Sequence, residues 1–379
     1  MKCVFKLFSV LLFFVFSSHK STCQTSKGEV TVKHLNTTYT CPESYELMHI
    51  LFALTDTSIY AGNENIHKLL IDSEGVYYQD VMAYFGKYRS HPLVQKLNKS
   101  LKESANIYRH NLHLAYNTEW RKGKFRRDFK YPLMHRLQYS ISKNIKRKDL
   151  TRFAKETNFE GFYQDHSEYY QQNLEKVRAF SEVDQQQRWL EEQFPARYDF
   201  YDIVVSPLMG GVHFTRRFNA RGGKKCVMWV ADARDYETNT AQNRGRYTGI
   251  IMTEIDHNYV NPVSDRFKDD LNVIMGSENM SKWLKLNSGQ GNYSTGYKVF
   301  NEYMTHAVYL LYTMDKFGPE DQKVIENARI SLMENRRKYY RFSDFYKELK
   351  DLYSNKSKGE TIPDLYPIII EWVKSQNQN

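Results

Sequence analysis

The chain has 379 residues, of which 41% are hydrophobic, 26% charged and 15% aromatic. That balance excludes a disordered, collagen-like, coiled-coil-only or multispan membrane chain. The formal charge of +10, from 54 basic and 44 acidic residues, admits an anionic partner, but no nucleic-acid-binding motif occurs, so nucleic acid is not an expected one.

Residues 1–23 read as an export signal. Lys2 and Lys6 give the positive start, and Leu7 to Phe16 is an apolar run of ten residues, short of the ~20 that span a membrane. Cleavage before Gln24 gives a soluble periplasmic or extracellular protein. The alternative is a lipid-modified Cys23 and an outer-membrane-anchored lipoprotein; Lys20 weakens it, standing where such a signal places an apolar residue. No later stretch is apolar enough to span. After cleavage Cys41 and Cys226 remain, to pair in an oxidising compartment or to stay as small buried residues. Two are too few for a cysteine-built zinc site.

Residues 24–197 read as a strand followed by helices. Glu29 to Thr40 alternates and is rich in β-branched residues, which predicts one strand. Helical patterns follow over Tyr45–Leu54, Asp80–Tyr88 and Leu93–Leu114, with His91-Pro92 as a break. Two basic stretches, Arg121–Arg127 (RKGKFRR) and Lys143–Lys148 (KNIKRK), read as a solvated helical face or as a patch for an anionic surface. Lys130–Phe194 is helical in composition. From residue 198 to 379 the character changes. Asp202–Ser206 and Cys226–Ala231 are short apolar strands, with a Met209-Gly210-Gly211 loop between them. A helix over about 247–261 stops at Asn261-Pro262. Ser288–Gly296 is a loop, and a second helix spans about 298–314. Glu320–Met333 and Phe342–Tyr353 are predicted helices. The fold class is α+β and mostly helical.

The most informative string is Thr253-Glu254-Ile255-Asp256-His257. In H-E-x-x-H, residues four apart share one helix face, so two imidazoles hold one zinc while the Glu activates its water. Here Glu254 and His257 stand at the right offsets and Thr253 replaces the first His. No nucleophile elbow, phosphate loop or dinucleotide pattern occurs.

The longer string Ile251–Pro262 (IMTEIDHNYVNP) resembles the motif of a family of secreted bacterial zincin-like proteins of unknown function, typically HEFxHxFVNP. Pro42–Asp56, Tyr77–Leu97, Ser206–Gly211 (SPLMGG) and Glu302–Leu310 (EYMTHAVYL) resemble other parts of that family, so the likeness covers nearly the whole chain after the leader. It implies a zincin-like core, in which a small sheet packs against the motif helix beside a helical C-terminal part. It also implies zinc as cofactor, with Glu254 as general base, His257 and Glu302 as ligands, and a peptide or protein substrate. Thr253 departs from the pattern, because a neutral hydroxyl is a poor zinc ligand. His306 lies one turn after Glu302, on the same face; it is either a replacement third ligand or a hydrogen-bonding remnant. Thr253, Asp256, His213, Tyr293 and Tyr297 are the remaining cleft candidates. The expected function is that of an exported metallopeptidase relative, a hydrolase with impaired or lost catalysis; a non-enzymatic peptide- or glycan-binding envelope protein is the alternative.

Overall fold

The computed structural model describes residues 29–56, 70–104, 106–128, 130–132, 145–233, 240–276, 278–285 and 295–378. The leader with Cys23, and the loop with Tyr293, lie outside them. The chain opens with strands β1 (Val30–His34) and β2 (Thr37–Cys41), then helices α1 (Glu43–Ala53), α2 (Val76–Phe85), α3 (Pro92–Glu103) and α4 (Asn106–Tyr116). A short hairpin, β3 (Thr118–Trp120) and β4 (Phe125–Arg127), precedes α5 (Arg147–Glu156), α6 (Phe159–Asp165), α7 (Ser167–Ser181) and α8 (Val183–Gln193). Strands β5 (Phe200–Ser206), β6 (Phe214–Ala220) and β7 (Gly223–Ala231) lead to the long helix α9 (Ala241–Ser264). Helices α10 (Lys268–Ile274), α11 (Met280–Trp283), α12 (Gly296–Lys316), α13 (Pro319–Ser331), α14 (Phe342–Asn355) and α15 (Ile362–Gln376) follow. The fold is therefore α+β and mostly helical. No helix among the described residues is long and apolar enough to cross a membrane.

One five-stranded sheet runs in the order β1-β2-β5-β7-β6. The three inner strands are parallel, and β1 and β6 are antiparallel edges. The apolar runs predicted over 202–206 and 226–231 are its centre, buried as parallel strands covered on both faces must be. Strands from both sides of residue 198 share this sheet.

Four local readings change. Glu29–Thr40 is a hairpin, not one strand: the chain reverses at Leu35, which takes φ 52°, and at Asn36, whose amide donates to Gln187 Oε1 (3.0 Å) and Asp199 O (3.2 Å). Both arms share one period-two pattern, so alternation could not mark the reversal. The basic RKGKFRR is a tight β-turn rather than a helical face, because Lys122 and Gly123 both take positive φ, as a two-residue hairpin turn requires. Leu93–Leu114 divides between α3 and α4. Helix α9 continues through Pro262 to Ser264. A proline leaves the carbonyl four residues back without its N–H; here that carbonyl, of Asn258, accepts the Tyr198 hydroxyl at 2.9 Å.

Cys41 and Cys226 are free and buried. They lie on β2 and β7 with β5 between them, so strand spacing alone separates them by about 9–10 Å, beyond the ~7 Å that a disulfide spans.

Candidate functional site

Helix α9 starts at Thr240, whose hydroxyl accepts from Asn243 N at 3.2 Å. Residues 251, 255 and 258 share one stripe, and Asn258 fixes it under the sheet: its amide donates to Thr215 Oγ1 of β6 and to Cys226 Sγ of β7, each at 2.9 Å. Residues 250, 254, 257 and 261 form the next stripe, which carries the charge. Gly245 and Gly249 lie on a third stripe, toward α12 and α13, where a Cβ at Gly249 would overlap the Arg329 guanidinium.

His257 Nε2 faces Glu302 Oε1 of α12 at 3.4 Å, and its Nδ1 lies 3.4 Å from Asn261 Oδ1. Nδ1 thus has its own partner, which turns Nε2 toward α12. Burial disfavours the imidazolium, but the hydrogen bond and charge of Glu302, with Glu254, overcome it and raise the His257 pKa to about 9. Burial pushes Glu254 up to about 7; His257 opposes the rise, Glu302 adds to it, and Arg337 and Arg109 of α4 oppose it. Burial would also raise Glu302, yet Arg337, His257 and His306 hold it well below the usual carboxylate range. The three charged groups predicted on two helices therefore do meet.

The third donor is where the set differs from a zinc centre. Thr253 turns back on its own helix and donates to Gly249 O at 2.8 Å. His306 lies 3.9 Å from Glu302 Oε2, but both its nitrogens face guanidinium groups: Nδ1 meets Arg329 Nη1 at 3.0 Å, and Nε2 meets Arg337 Nη1. Burial, then Arg337 and Arg329, push the His306 pKa well down, so it is neutral. A neutral imidazole has one lone pair to give, and two arginines compete for it. Arg337 also donates to Glu302 Oε2 at 2.6 Å. Two ligands of one tetrahedral zinc stand ~3.4 Å apart, so His257 and Glu302 suit a shared metal. Among the described residues, however, no group of three or more His, Cys, Asp or Glu side chains is arranged to hold one. Two donors and a bound guanidinium do not fit the three-ligand catalytic zinc.

A family model described as a domain of unknown function, DUF4932, matches residues 41–372. The chain belongs to the DUF4932 family. No curated protein and no solved structure matches it.

The other predicted residues of this DUF4932 chain scatter. Asp256 is fully buried, and neither carboxyl oxygen has a hydrogen-bond partner among the described residues. Burial, opposed in part by His257, holds its pKa well above the usual carboxylate range. His213 accepts from Ala231 N at 3.4 Å and lines a cleft of about 450 Å³ with Gly210, Gly211, Asp232, Arg246 and Ile250, one turn from Glu254. Burial lowers its pKa to about 4. Tyr297 donates to Asp265 Oδ1 at 2.7 Å, beyond the end of α9. Arg329 and Arg337 are site residues that the motif did not point to, and Asn261, expected only as the helix end, is the partner of His257 Nδ1. Gly249, one turn before Thr253, was the available signal for Arg329, because a glycine inside a helix marks a close approach by something else.

Proposed function

We propose that this chain is an exported, zincin-like relative of zinc metallopeptidases whose cleft has lost hydrolysis and persists as a binding site for a peptide or protein segment. The antiparallel edge strand β6, packed over the helix that bears Glu254 and His257, with Glu302 reaching in from a second helix, supports the zincin-like core. The loss of hydrolysis rests on one observation: the Arg337 guanidinium is bound to Glu302 and faces His306. It supplies at Glu302 the positive charge that a metal would supply, and it cannot take water as a ligand. A divalent cation entering there meets a missing donor and repulsion from two arginines. Exchange of an ion for a side chain keeps the local charge balanced, which lets the cleft outlive the chemistry.

Elemental analysis after zinc loading and desalting tests this. Less than ~0.2 zinc per chain is expected, against about one in a working site. Retention of about one zinc, lost in both His257→Ala and Glu302→Ala, would overturn the reading. The double variant Thr253→His/Arg337→Ala, which returns a donor and removes the guanidinium, should gain zinc where the wild-type chain does not.

A further inference from the structure

Two basic stretches that are separate in sequence become one surface. The β3–β4 hairpin exposes Arg121, Lys122, Lys124, Arg126 and Arg127. It lies against α5, where Phe125 N donates to Thr151 Oγ1 at 3.0 Å, so the start of α5 adds Lys146, Arg147 and Lys148. A shallow hollow of about 550 Å³ runs between hairpin and helix, lined by Arg121, Lys124, Arg126, Arg127 and Arg147 among others. The nearby acids are engaged: Glu119 with Arg121 at 2.7 Å, and Asp128 with Lys130 at 3.7 Å. Among the described residues, Lys124, Arg126, Arg127 and Arg147 have no acidic partner. Burial and the nearby Arg127 both lower the Arg147 pKa. Like charges in excess of the two acids that line the hollow, Glu119 and Asp128, attract an anion from outside.

The border of the surface is defined on one side. Glu29, the first described residue, lies 3.5 Å from Lys130, just after β4. At the foot of the hairpin, Asp128 N donates to Asn117 O at 2.9 Å. Glu29 and Lys130 therefore close the edge of this surface with one ion pair, and the basic groups beyond them are left to an outside anion.

We propose that the β3–β4 hairpin and the start of α5 form a docking surface for an anionic phospholipid bilayer. Guanidinium forks match lipid phosphates, and several basic side chains near one charged plane act together. Single-stranded nucleic acid fits less well. It needs aromatic faces on which to stack, and here Trp120 is half-buried and packs on Phe125, with centroids 4.7 Å apart.

Co-sedimentation of the processed chain with vesicles tests the surface, using phosphatidylcholine alone and phosphatidylcholine with a third of phosphatidylglycerol. Binding at least ~10-fold tighter to the anionic vesicles is expected, lost in about 0.5 M salt, where charges are screened within a few ångströms. The variant Arg121→Gln/Lys124→Gln/Arg126→Gln/Arg127→Gln should lose that preference with an unchanged melting temperature. The variant Lys323→Gln/Lys347→Gln/Lys358→Gln/Lys374→Gln removes the same charge elsewhere and should keep it. Equal loss in both variants, no preference in the wild-type chain, or binding to an oligonucleotide without binding to vesicles would overturn the proposal.

Discussion

Helix α9 has two faces that obey different rules. Toward the sheet, Ile251, Ile255 and Tyr259 are fully buried, and the polar group among them, the Asn258 amide, is satisfied by β6 and β7. On the neighbouring stripe the same helix carries Glu254 and His257, whose states are set largely by side chains from α12 and from the segment after α13. The first face is held by apolar area and neutral hydrogen bonds, which do not depend on what binds in the cleft. The second is a balance of charges that can be rebuilt. A ligand such as the first histidine of the motif can therefore be lost without loss of the helix, provided that the charge is replaced.

The largest test of that contrast is Ile255→Ala on the sheet face. It should cost about 4 kcal/mol, the usual loss for a fully buried aliphatic side chain, read as a lower denaturant midpoint. A loss under ~1 kcal/mol would mean that this face is not core. Glu302→Gln on the charged face should cost about 3 kcal/mol, because Arg337 and the His257 imidazolium lose a buried counter-charge. NMR titration of that variant should show the His257 pKa falling toward 6.5.

Next in size is a pH effect. The folded pKa of His257, about 9, lies above the unfolded value of ~6.5, so folding binds its proton more tightly. That contribution is complete below about pH 6.5 and is lost as pH rises through about 9. About 2 kcal/mol should disappear over that window, less than the full ~1.4 per pH unit because Arg337 shares Glu302. His257→Gln should abolish the slope; an unchanged slope would assign it to another group. The smallest effect is that of Tyr198→Phe, about 1 kcal/mol, from leaving the Asn258 carbonyl at Pro262 without a donor. If stability is unchanged, water reaches that carbonyl.

The sequence carried the long elements well where their pattern is apolar. Helix α12 and strands β5 and β7 stand close to their expected bounds, because continuous burial leaves a continuous hydrophobic signal; α9 was expected but starts six residues earlier and runs on through Pro262. Strand β6 escaped notice because Arg216 and Arg217 interrupt its alternation, as an edge strand permits. Helix α15 has no counterpart among the expected helices, since Pro363 and Pro367 disguise it; both lie in its first two turns. In the site, Glu254 and His257 were legible from motif spacing, and Glu302 only through the family resemblance. Arg329 and Arg337 were not. Each lies more than a turn of sequence away from the groups it binds, and nothing local in a charged segment says that it folds back onto another helix.

The pairing of β2 with β5 joins Thr37 to Tyr201, residues roughly 160 apart in the chain. A protein made from its N-terminus thus forms the β1–β2 hairpin long before the strand that covers it exists. Until β5 arrives, one side of β2 presents open backbone groups beside Tyr39 and Cys41, both destined for the core. Closure of the sheet is therefore a late event with a large loop to bring together, and the waiting hairpin is the point at which a second chain could pair in place of β5.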